Sequence, residues 1–242
     1  MNVIDAPSPN FGPRPEGKKI KYLILHYTGT ETSYEALRLL QGGDKDHEVS
    51  AHYMVDEDGS VMRLVDESLR AWHAGKSYWE GETDINSCSI GIEIQNAGHD
   101  FGLPGFPDTQ IAAVIELCRE IMARHKILPC HVLGHSDVAP GRKKDPGEKF
   151  PWQKLAEAGI GAWPESGESE EADIDKILTQ FGYDPNAELK ARITEFQRHF
   201  MPEIFATKEK IGVADPDTVQ KLQSLVKKKL GLRPKAPGHR PK

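Results

Sequence analysis

An isoleucine at every second position from Ile90 to Ile94 is the pattern that most constrains how this 242-residue chain can fold. Gly91 and Glu93 fill the positions between the isoleucines. A two-residue period is typical of a β-strand, because successive side chains of a strand point to opposite faces of the sheet. Residues 87–95 are therefore predicted to form a strand with one apolar face and a second face that is small or polar and carries Glu93.

Strand and helix patterns are mixed along the first 158 residues. Apolar runs predict strands at residues 20–27, 51–56, 60–66 and 131–133, and residues 57–59 have the composition of a hairpin turn. Helical spacing of apolar residues predicts helices at residues 33–40, 108–125 and 152–158. Because strands and helices intermix, we expect an α/β fold with a central mixed β-sheet flanked by helices.

The composition changes after residue 164. Residues 165–171 are acidic and rich in serine and glycine, which is typical of a linker. Helical patterns at residues 172–181, 187–200 and 215–230 then predict a small C-terminal three-helix domain. The expected organisation is an N-terminal extension (1–17), a larger domain (18–164), the linker (165–171), the helical domain (172–232) and a basic tail (233–242).

Bulk properties exclude several classes of protein. The net charge of −6 does not favour nucleic acid as a partner. No apolar run approaches the roughly 18 residues that a membrane-spanning helix requires. The polar, proline-rich residues 1–17 lack the apolar core of a signal peptide, which predicts a cytoplasmic protein, or a periplasmic one if an export signal has been removed. Three cysteines without regular spacing argue against a disulfide scaffold, and the oligomeric state is not predictable.

The segment at residues 134–147 is the strongest candidate for a functional site. It places His135, Lys143 and Asp145 in a loop rich in glycine and proline, with few apolar residues for packing. His26 lies at the end of the first predicted strand and is a second candidate imidazole ligand. Two imidazoles, one carboxylate and an open fourth position are typical of hydrolytic zinc sites, so we expect His26, His135 and Asp145 to bind Zn2+.

Two further residues are candidates for the chemistry. Glu93 is the candidate general base, because an apolar setting raises the pKa of a carboxyl group toward the range useful for proton transfer. A carboxylate that points into solvent from an edge strand is an equally acceptable interpretation. Lys143 is the candidate for stabilising an oxyanion. The alternative is a solvated loop lysine, like its neighbours Arg142 and Lys144.

Trp72 and His73 form a third cluster, suited to a sugar face or a peptide carbonyl. A core tryptophan beside a hydrogen-bonded histidine is nearly as good an interpretation. His52 could line the same cleft, and Asn86 could bind a substrate amide or cap the turn before its strand. The other histidines considered are expected to lie away from the site: His47 and His99 in polar surface loops, His125 at a helix end, and His199 in the C-terminal domain.

Together these segments resemble the zinc-dependent N-acetylmuramoyl-L-alanine amidases, in the superfamily that includes peptidoglycan-recognition proteins and phage lysozyme-type amidases. The matching segments occur in order at residues 24–28, 50–53, 71–75, 89–93 and 134–152, and they cover roughly residues 18–164. The resemblance implies a catalytic domain with zinc held by His26, His135 and Asp145, Glu93 as acid and base, and Lys143 at the oxyanion. An aspartate as third ligand places the chain nearer the bacterial muropeptide-recycling and cell-wall amidases.

The implied reaction is hydrolysis of the amide between N-acetylmuramic acid, including its 1,6-anhydro form, and L-alanine of peptidoglycan or muropeptides. One alternative is a non-catalytic recognition protein, although such proteins typically lack part of the zinc triad. The other is a structural zinc site, which would need Cys130 or His131 as fourth ligand. Residues 181–183, 193–200 and 212–215 resemble a peptidoglycan-binding helical domain, which would bind the wall or only brace the catalytic domain. Because residues 80–84 are acidic, Arg70, Lys76 or Arg142 would meet the carboxylates of the stem peptide.

Overall fold

The protein is described here by a computed structural model, which covers residues 3–43 and 48–232. His47 and the basic tail at 233–242 lie outside the described residues. Two sheets contain the strands β1 (Val3–Asp5), β2 (Phe11–Pro13), β3 (Tyr22–Tyr27), β4 (Tyr53–Val55), β5 (Val61–Arg63), β6 (Leu69–Ala71), β7 (Ser89–Ile94) and β8 (Val132–Gly134). The helices are α1 (Ser33–Leu40), α2 (Asp108–His125), α3 (His135–Val138), α4 (Trp152–Glu157), α5 (Ile174–Phe181), α6 (Leu189–Phe200), α7 (Ile204–Thr207) and α8 (Pro216–Leu232).

The main sheet has six strands in the order β1-β5-β4-β7-β3-β8. All neighbouring pairs are parallel except the hairpin of β4 and β5, which is antiparallel. A smaller antiparallel sheet joins β2 to β6. The prediction of an α/β fold with a central mixed sheet and flanking helices is therefore confirmed.

The alternation along β7 divides the sheet into two environments. Ile90, Ile92 and Ile94 are fully buried and pack with the apolar side of α2 in one hydrophobic core. The opposite face carries Glu93, which is in register with His26 at the carboxyl end of the neighbouring parallel strand β3. The carboxyl ends of parallel strands are where clefts form in α/β proteins, so the sheet itself brings these two side chains to one edge.

The N-terminal segment belongs to the sheet system instead of extending away from it. β1 pairs with β5 and β2 pairs with β6. The Arg14 side chain, which follows β2, donates hydrogen bonds to the carbonyls of Asn86 (3.0 Å) and Ser89 (2.8 Å). β1 and β2 are mostly exposed and lack a buried apolar run, which is why the sequence predicted only a polar extension here.

The C-terminal helices share a hydrophobic core with the sheet. Tyr22 and Ile24, on the face of β3 that also carries His26, pack in one buried cluster with Phe181 and Phe196. The short helix α7 adds to the three predicted helices within the described part of the chain. The predicted linker lies along α8, where Gln220 donates a hydrogen bond to the Glu165 carbonyl (2.8 Å).

The described structure has neither a membrane-spanning helix nor a disulfide bond. In the described ranges, no helix combines the length and the apolar character needed to cross a bilayer. Cys88, Cys118 and Cys130 are all buried and unpaired with one another. Burial without disulfides is the behaviour of small apolar core residues.

Candidate metal centre and catalytic cleft

Three buried side chains converge where β3 and β8 end. His26 is the fifth residue of β3, His135 begins α3 directly after β8, and Asp145 lies in the loop that follows α3. The two Nδ1 atoms are 2.9 Å apart, and each lies 3.0 Å from Oδ2 of Asp145. The parallel pairing of β3 with β8 produces this convergence, because it aligns the ends of the two strands.

The hydrogen-bond partners of His135 define its tautomer. Its Nε2 lies 3.1 Å from the carbonyl oxygen of Ala74, which can only accept a hydrogen bond. Nε2 therefore carries a hydrogen, and Nδ1 is the atom that can present a lone pair to a metal ion beside Asp145. The guanidinium of Arg142 donates to the same carbonyl (2.7 Å) and holds it in place.

A chain of hydrogen bonds defines the tautomer of His26 in the same way. The Ser89 hydroxyl donates to the Ile85 carbonyl (2.7 Å), so its oxygen accepts from Nε2 of His73 (3.1 Å). Nδ1 of His73 then accepts from Nε2 of His26 (3.0 Å). Burial lowers the pKa of His26 to about 4, and that of His73 well below its usual value, so both rings are neutral at pH 7. The Nδ1 atom of His26 consequently also presents a lone pair.

This arrangement satisfies the chemical requirement for a metal site. Burial alone would raise the pKa of Asp145, but the two imidazoles lower it, so the carboxyl group is ionised at neutral pH. Two imidazole nitrogens and one carboxylate oxygen lie within 3.0 Å of one another, so a metal ion can take the place of the hydrogens that the imidazoles otherwise share with Asp145. His26, His135 and Asp145 are the group in the described structure whose ligand atoms are close enough to hold a metal ion. Two imidazole nitrogens and one carboxylate oxygen suit zinc.

Glu93 lies beside these three residues and has an unusual environment. Its Oε2 atom is buried and makes no hydrogen bond within the described structure. Burial first, and then the negative charge of Asp145, raise the pKa of Glu93 well above its usual value, while Lys143 opposes the shift. A carboxyl group that is desolvated, unpaired and beside a cleft is suited to accept and return a proton.

The cleft itself is a cavity of about 450 Å³, within the size range of small-molecule sites. His26, Glu93, His135 and Asp145 contribute to its lining. Lys143 also contributes to the lining, together with Arg142 and Lys144, and gives the cleft a cationic region. The remaining lining includes an apolar set: Ala36, Leu39, Leu40, Val49 and Trp72.

The four predicted substrate-binding residues divide into two pairs. Trp72 and His73 line the cavity, although His73 also makes the hydrogen bond to His26 described above. His52 is fully buried, and its Nδ1 accepts the backbone hydrogen of Gly91 (3.0 Å). Asn86 accepts backbone hydrogens from His73 (3.1 Å) and Ala74 (2.8 Å). The structure therefore corrects the expectation for His52 and Asn86: neither lines the cleft, and both support the backbone around it.

Two histidines that the sequence placed away from the site are connected to it. His99 lines the cavity, where its Nδ1 lies 3.0 Å from the Tyr27 hydroxyl, and its Nε2 pairs with Glu148 (3.0 Å). His199 is buried and hydrogen-bonded to Asp137 (2.7 Å), two residues after the ligand His135. The expectation of a remote His199 was wrong, whereas His99 is partly exposed and also lines the cavity. Two features of the sequence could have indicated that His99 lies at the cleft. Tyr27, its partner, directly follows His26, and a glycine directly precedes His99.

The acidic segment at 80–84 is neutralised by ion pairs on its own side of the molecule. Glu82 pairs with Lys18 and Lys21, and Asp84 pairs with Arg70. Of the three cations considered for substrate carboxylates, only Arg142 is among the residues that line the cavity. As a candidate for binding the carboxylates of a substrate, Arg142 is therefore favoured over Arg70. The sequence alone did not allow this choice.

A mixed sheet that carries an open site of two histidines and one aspartate, with a desolvated carboxyl group beside it, defines a class of metal-dependent hydrolases. The family model for N-acetylmuramoyl-L-alanine amidase matches residues 16–148, which contain every residue of the cleft described above. The chain belongs to this family, and it is an enzyme.

Similar proteins cover most of the chain. The N-acetylmuramoyl-L-alanine amidase AmiD of Escherichia coli is 36% identical over 241 residues, covering 87% of this chain and 83% of that protein. The 1,6-anhydro-N-acetylmuramyl-L-alanine amidase AmpD of Haemophilus influenzae is 32% identical, covering 61% of this chain and 86% of its own length. That match leaves about two fifths of this chain without a counterpart.

Solved structures agree with the sequence comparison. The complex of Escherichia coli AmiD with anhydro-N-acetylmuramic acid-L-Ala-D-gamma-Glu-L-Lys has a TM-score of 0.74 and 34% identity, and covers 89% of this chain and 92% of that chain. The structure of AmpDH3 from Pseudomonas aeruginosa has a TM-score of 0.77 and 33% identity, and covers 88% of this chain and 94% of that chain. Because 88–89% of this chain is covered, the structural similarity includes C-terminal helices as well as the sheet.

Proposed function

We propose that this chain is a zinc hydrolase that cleaves the amide bond between N-acetylmuramic acid, including its 1,6-anhydro form, and L-alanine in peptidoglycan fragments, for cell-wall turnover and recycling. The observation that carries the proposal is the set of three candidate ligand atoms, from His26, His135 and Asp145, at 2.9–3.0 Å from one another. A protein that presents three ligands and a cavity beside them resembles catalytic zinc sites, whereas structural sites fill all four positions with protein ligands.

Zinc at such a site lowers the pKa of a bound water toward about 7 and polarises a carbonyl group. Glu93 supplies the proton transfers. Its unpaired Oε2 accepts a proton as the amide carbon is attacked, and the raised pKa lets the carboxyl group hold that proton until it is returned to the leaving L-alanine nitrogen. The fixed position of Glu93 on a central strand keeps this carboxyl group in register with His26.

Lys143 supplies positive charge to the same space. Its side chain lines the cavity, and it forms no ion pair with any residue in the described ranges. An ammonium group without a carboxylate partner is free to stabilise the oxyanion that develops when the amide carbonyl is attacked. This role makes Lys143 the residue of the loop at 134–147 that contacts the reacting atoms without binding the metal.

The lining of the cavity supports a substrate made of a sugar and an acidic peptide. Trp72 offers an aromatic surface with apolar neighbours, which suits the face of a sugar ring. Arg142 and Lys144 lie on the cationic part of the lining and suit the carboxylates of a stem peptide. The substrate in the AmiD complex combines these two chemistries.

Mass spectrometry of products tests the proposal and separates it from the alternative of a non-catalytic recognition protein. Purified anhydro-muropeptide and intact sacculi are incubated with the protein, with a chelator, and with chelator followed by added zinc. Release of a free stem peptide that begins with L-alanine, lost with chelator and restored by zinc, supports the amidase. Cleavage of the small substrate alone supports recycling, whereas cleavage of sacculi as well supports wall remodelling. Binding of either substrate without any release refutes the enzyme and leaves the recognition protein.

Recycling of fragments places the enzyme in the cytoplasm in this proposal, with the periplasm as the alternative. The buried thiols of Cys88 and Cys118, which form no disulfide within the described structure, favour a reducing compartment. Fractionation of cells that express the full-length natural protein, followed by immunoblotting, distinguishes the two compartments.

A further inference from the structure

The C-terminal helices contact the loop that carries two of the three metal ligands. We propose that α6 is a positioning element of the metal centre, which holds the loop at residues 135–148 through Asp137 near its start and Glu148 near its end. This inference rests on the proposed zinc site. It assigns the C-terminal helices a role in metal binding that differs from wall binding.

The first attachment is the buried carboxylate of Asp137. Its Oδ2 accepts hydrogen bonds from the backbone of Gly134 (2.7 Å) and from Nδ1 of His199 (2.7 Å), and its Oδ1 accepts from the Tyr183 hydroxyl (2.7 Å). Two of these three donors therefore belong to the C-terminal helices and the turn between them. Since Asp137 is two residues beyond His135 within α3, its position constrains the backbone that presents the ligand.

His199 makes this attachment with defined geometry. Its ring stacks on Trp152, with centroids 3.7 Å apart and an interplanar angle of 21°. Its Nε2 atom is buried and has no hydrogen-bond partner in the described structure. Because a carboxylate oxygen accepts, the hydrogen of this bond lies on Nδ1, and the one hydrogen bond of the ring in the described structure is made to Asp137.

The second attachment is Glu148, three residues after the ligand Asp145. Its Oε2 accepts hydrogen bonds from Arg198 of α6 and from Nε2 of His99 (3.0 Å). Burial alone would raise the pKa of Glu148, but His99 and Arg198 lower it to about 2, so this carboxylate is ionised at neutral pH. His99 lines the cavity, so the same contact also connects α6 to the wall of the cleft.

Between the two attachments, α6 runs close to the loop. A Cβ atom built on Gly141 would lie 3.2 Å from the Cβ atom of Ala191, which is on α6. The loop contains little apolar surface of its own to fix its conformation, as its glycine and proline content indicates. Helix α6 supplies an external support for this loop, with contacts near its start, its middle and its end.

A purely stabilising role for the helices would require only the apolar core. Phe181, Phe196 and Leu222 already supply it, since all three are buried in the cluster shared with the sheet. Burying Asp137 adds a desolvation cost, and buried ionic groups are weak contributors to stability compared with apolar packing. Helix α6 and the turn before it make polar contacts with the segment that carries the ligands, through Asp137 and Glu148, whereas α8 forms an ion pair with Glu80. Polar contacts to the residues that flank metal ligands are the pattern expected of positioning residues.

The test compares zinc affinity in four full-length variants. Tyr183→Phe and His199→Leu each remove one donor to Asp137, and His199→Asn keeps a donor near the position of Nδ1. Leu222→Ala is the matched control, because it leaves a cavity in the same core on α8 without touching Asp137. Zinc dissociation constants are measured by chelator competition, and the cobalt-substituted proteins are compared by their visible absorption spectra.

We expect zinc affinity to fall by about 10-fold to 100-fold in Tyr183→Phe and His199→Leu, the effect typical of outer partners of metal ligands. His199→Asn should restore most of the affinity, and the cobalt spectrum should change only in the two variants that lose a donor. Leu222→Ala should unfold at lower temperature yet bind zinc like the wild type.

Two results would overturn the inference while leaving the amidase intact. One is wild-type zinc affinity and an unchanged cobalt spectrum in His199→Leu and Tyr183→Phe. The other is a loss of affinity in Leu222→Ala that matches its loss of stability, because this would show a general structural role. A wild-type protein that binds no zinc would instead refute the proposed function itself, and the two failures are therefore distinguishable.

Discussion

Replacing Glu93 with glutamine should change activity and stability in opposite directions. The substitution keeps the size of the side chain and removes its ability to accept a proton. Since general acid and base catalysis contributes about 10²-fold to 10⁴-fold, kcat should fall by that factor, or about 3–5 kcal/mol of transition-state stabilisation. Zinc content should remain that of the wild type, because Glu93 is not one of the three residues grouped as ligands.

The effect on stability follows from the environment of the carboxyl group. In the metal-free protein, burial and Asp145 raise the pKa of Glu93 above its value in the unfolded chain. The folded state therefore loses stability relative to the unfolded state as the pH rises from about 4.5 through the folded pKa. Glu93→Gln removes this loss, because the amide does not ionise, and avoiding a buried unpaired carboxylate is worth at least about 1–3 kcal/mol.

The assay combines turnover with urea unfolding of the metal-free protein at pH 4 and pH 8. We expect Glu93→Gln to be more stable than the wild type at pH 8 and nearly equal to it at pH 4. Glu57→Gln, in the exposed turn between β4 and β5, is the control and should change neither quantity. Turnover within tenfold of the wild type at full zinc loading would refute the assignment of the base. Equal stability at pH 8 would refute the reasoning from the unpaired carboxylate.

Three further perturbations test other parts of the structure. Trp72→Ala should raise KM about tenfold and change kcat less, because the ring lines the cavity away from the ligands, as steady-state kinetics would show. Gly91→Ala should cost about 1–3 kcal/mol in urea unfolding and weaken zinc binding in chelator competition, because a Cβ there would lie 2.5 Å from the His73 ring. Glu80→Gln should lower the free energy of unfolding by about 2–3 kcal/mol at pH 7. Hydrogen bonds from a histidine and a lysine outweigh burial and lower the pKa of Glu80 to about 2, so its contribution is present above pH 4.5 and should disappear as the pH falls to 2.

The elements with a long buried face were predictable from the sequence. Helix α2 covers the predicted residues 108–125, and α1 covers the predicted residues 33–40, because burial of one helical face imposes a period on the apolar residues. The strand β7 lies within the predicted segment for the corresponding reason. Strands β1, β2 and β6 are exposed or half-buried over most of their length, so they lack the apolar run that located the equally short β4, β5 and β8.

The site was predictable where its residues are close in sequence or recur in a family pattern. His135, Lys143 and Asp145 lie in one loop, and His26 ends a strand that the apolar pattern located. His199 was missed because it reaches Asp137 across 62 residues of sequence. Tyr27 and His99 were missed because 72 residues separate them. His52 was expected to line the same cleft as Trp72, but it lies in the core, where its ring accepts a backbone hydrogen instead.

The fold fixes the base and the metal ligands by two different means. Glu93 and His26 are held by the backbone hydrogen bonds of β7 and β3, so their relative position depends on the strand register. His135 and Asp145 lie on a loop whose conformation depends on Asp137, Glu148 and the side chains of α6 that contact them. Loosening α6 should therefore weaken metal binding before it disturbs the base. An enzyme impaired in this way should recover turnover when zinc is added in excess, whereas Glu93→Gln should not.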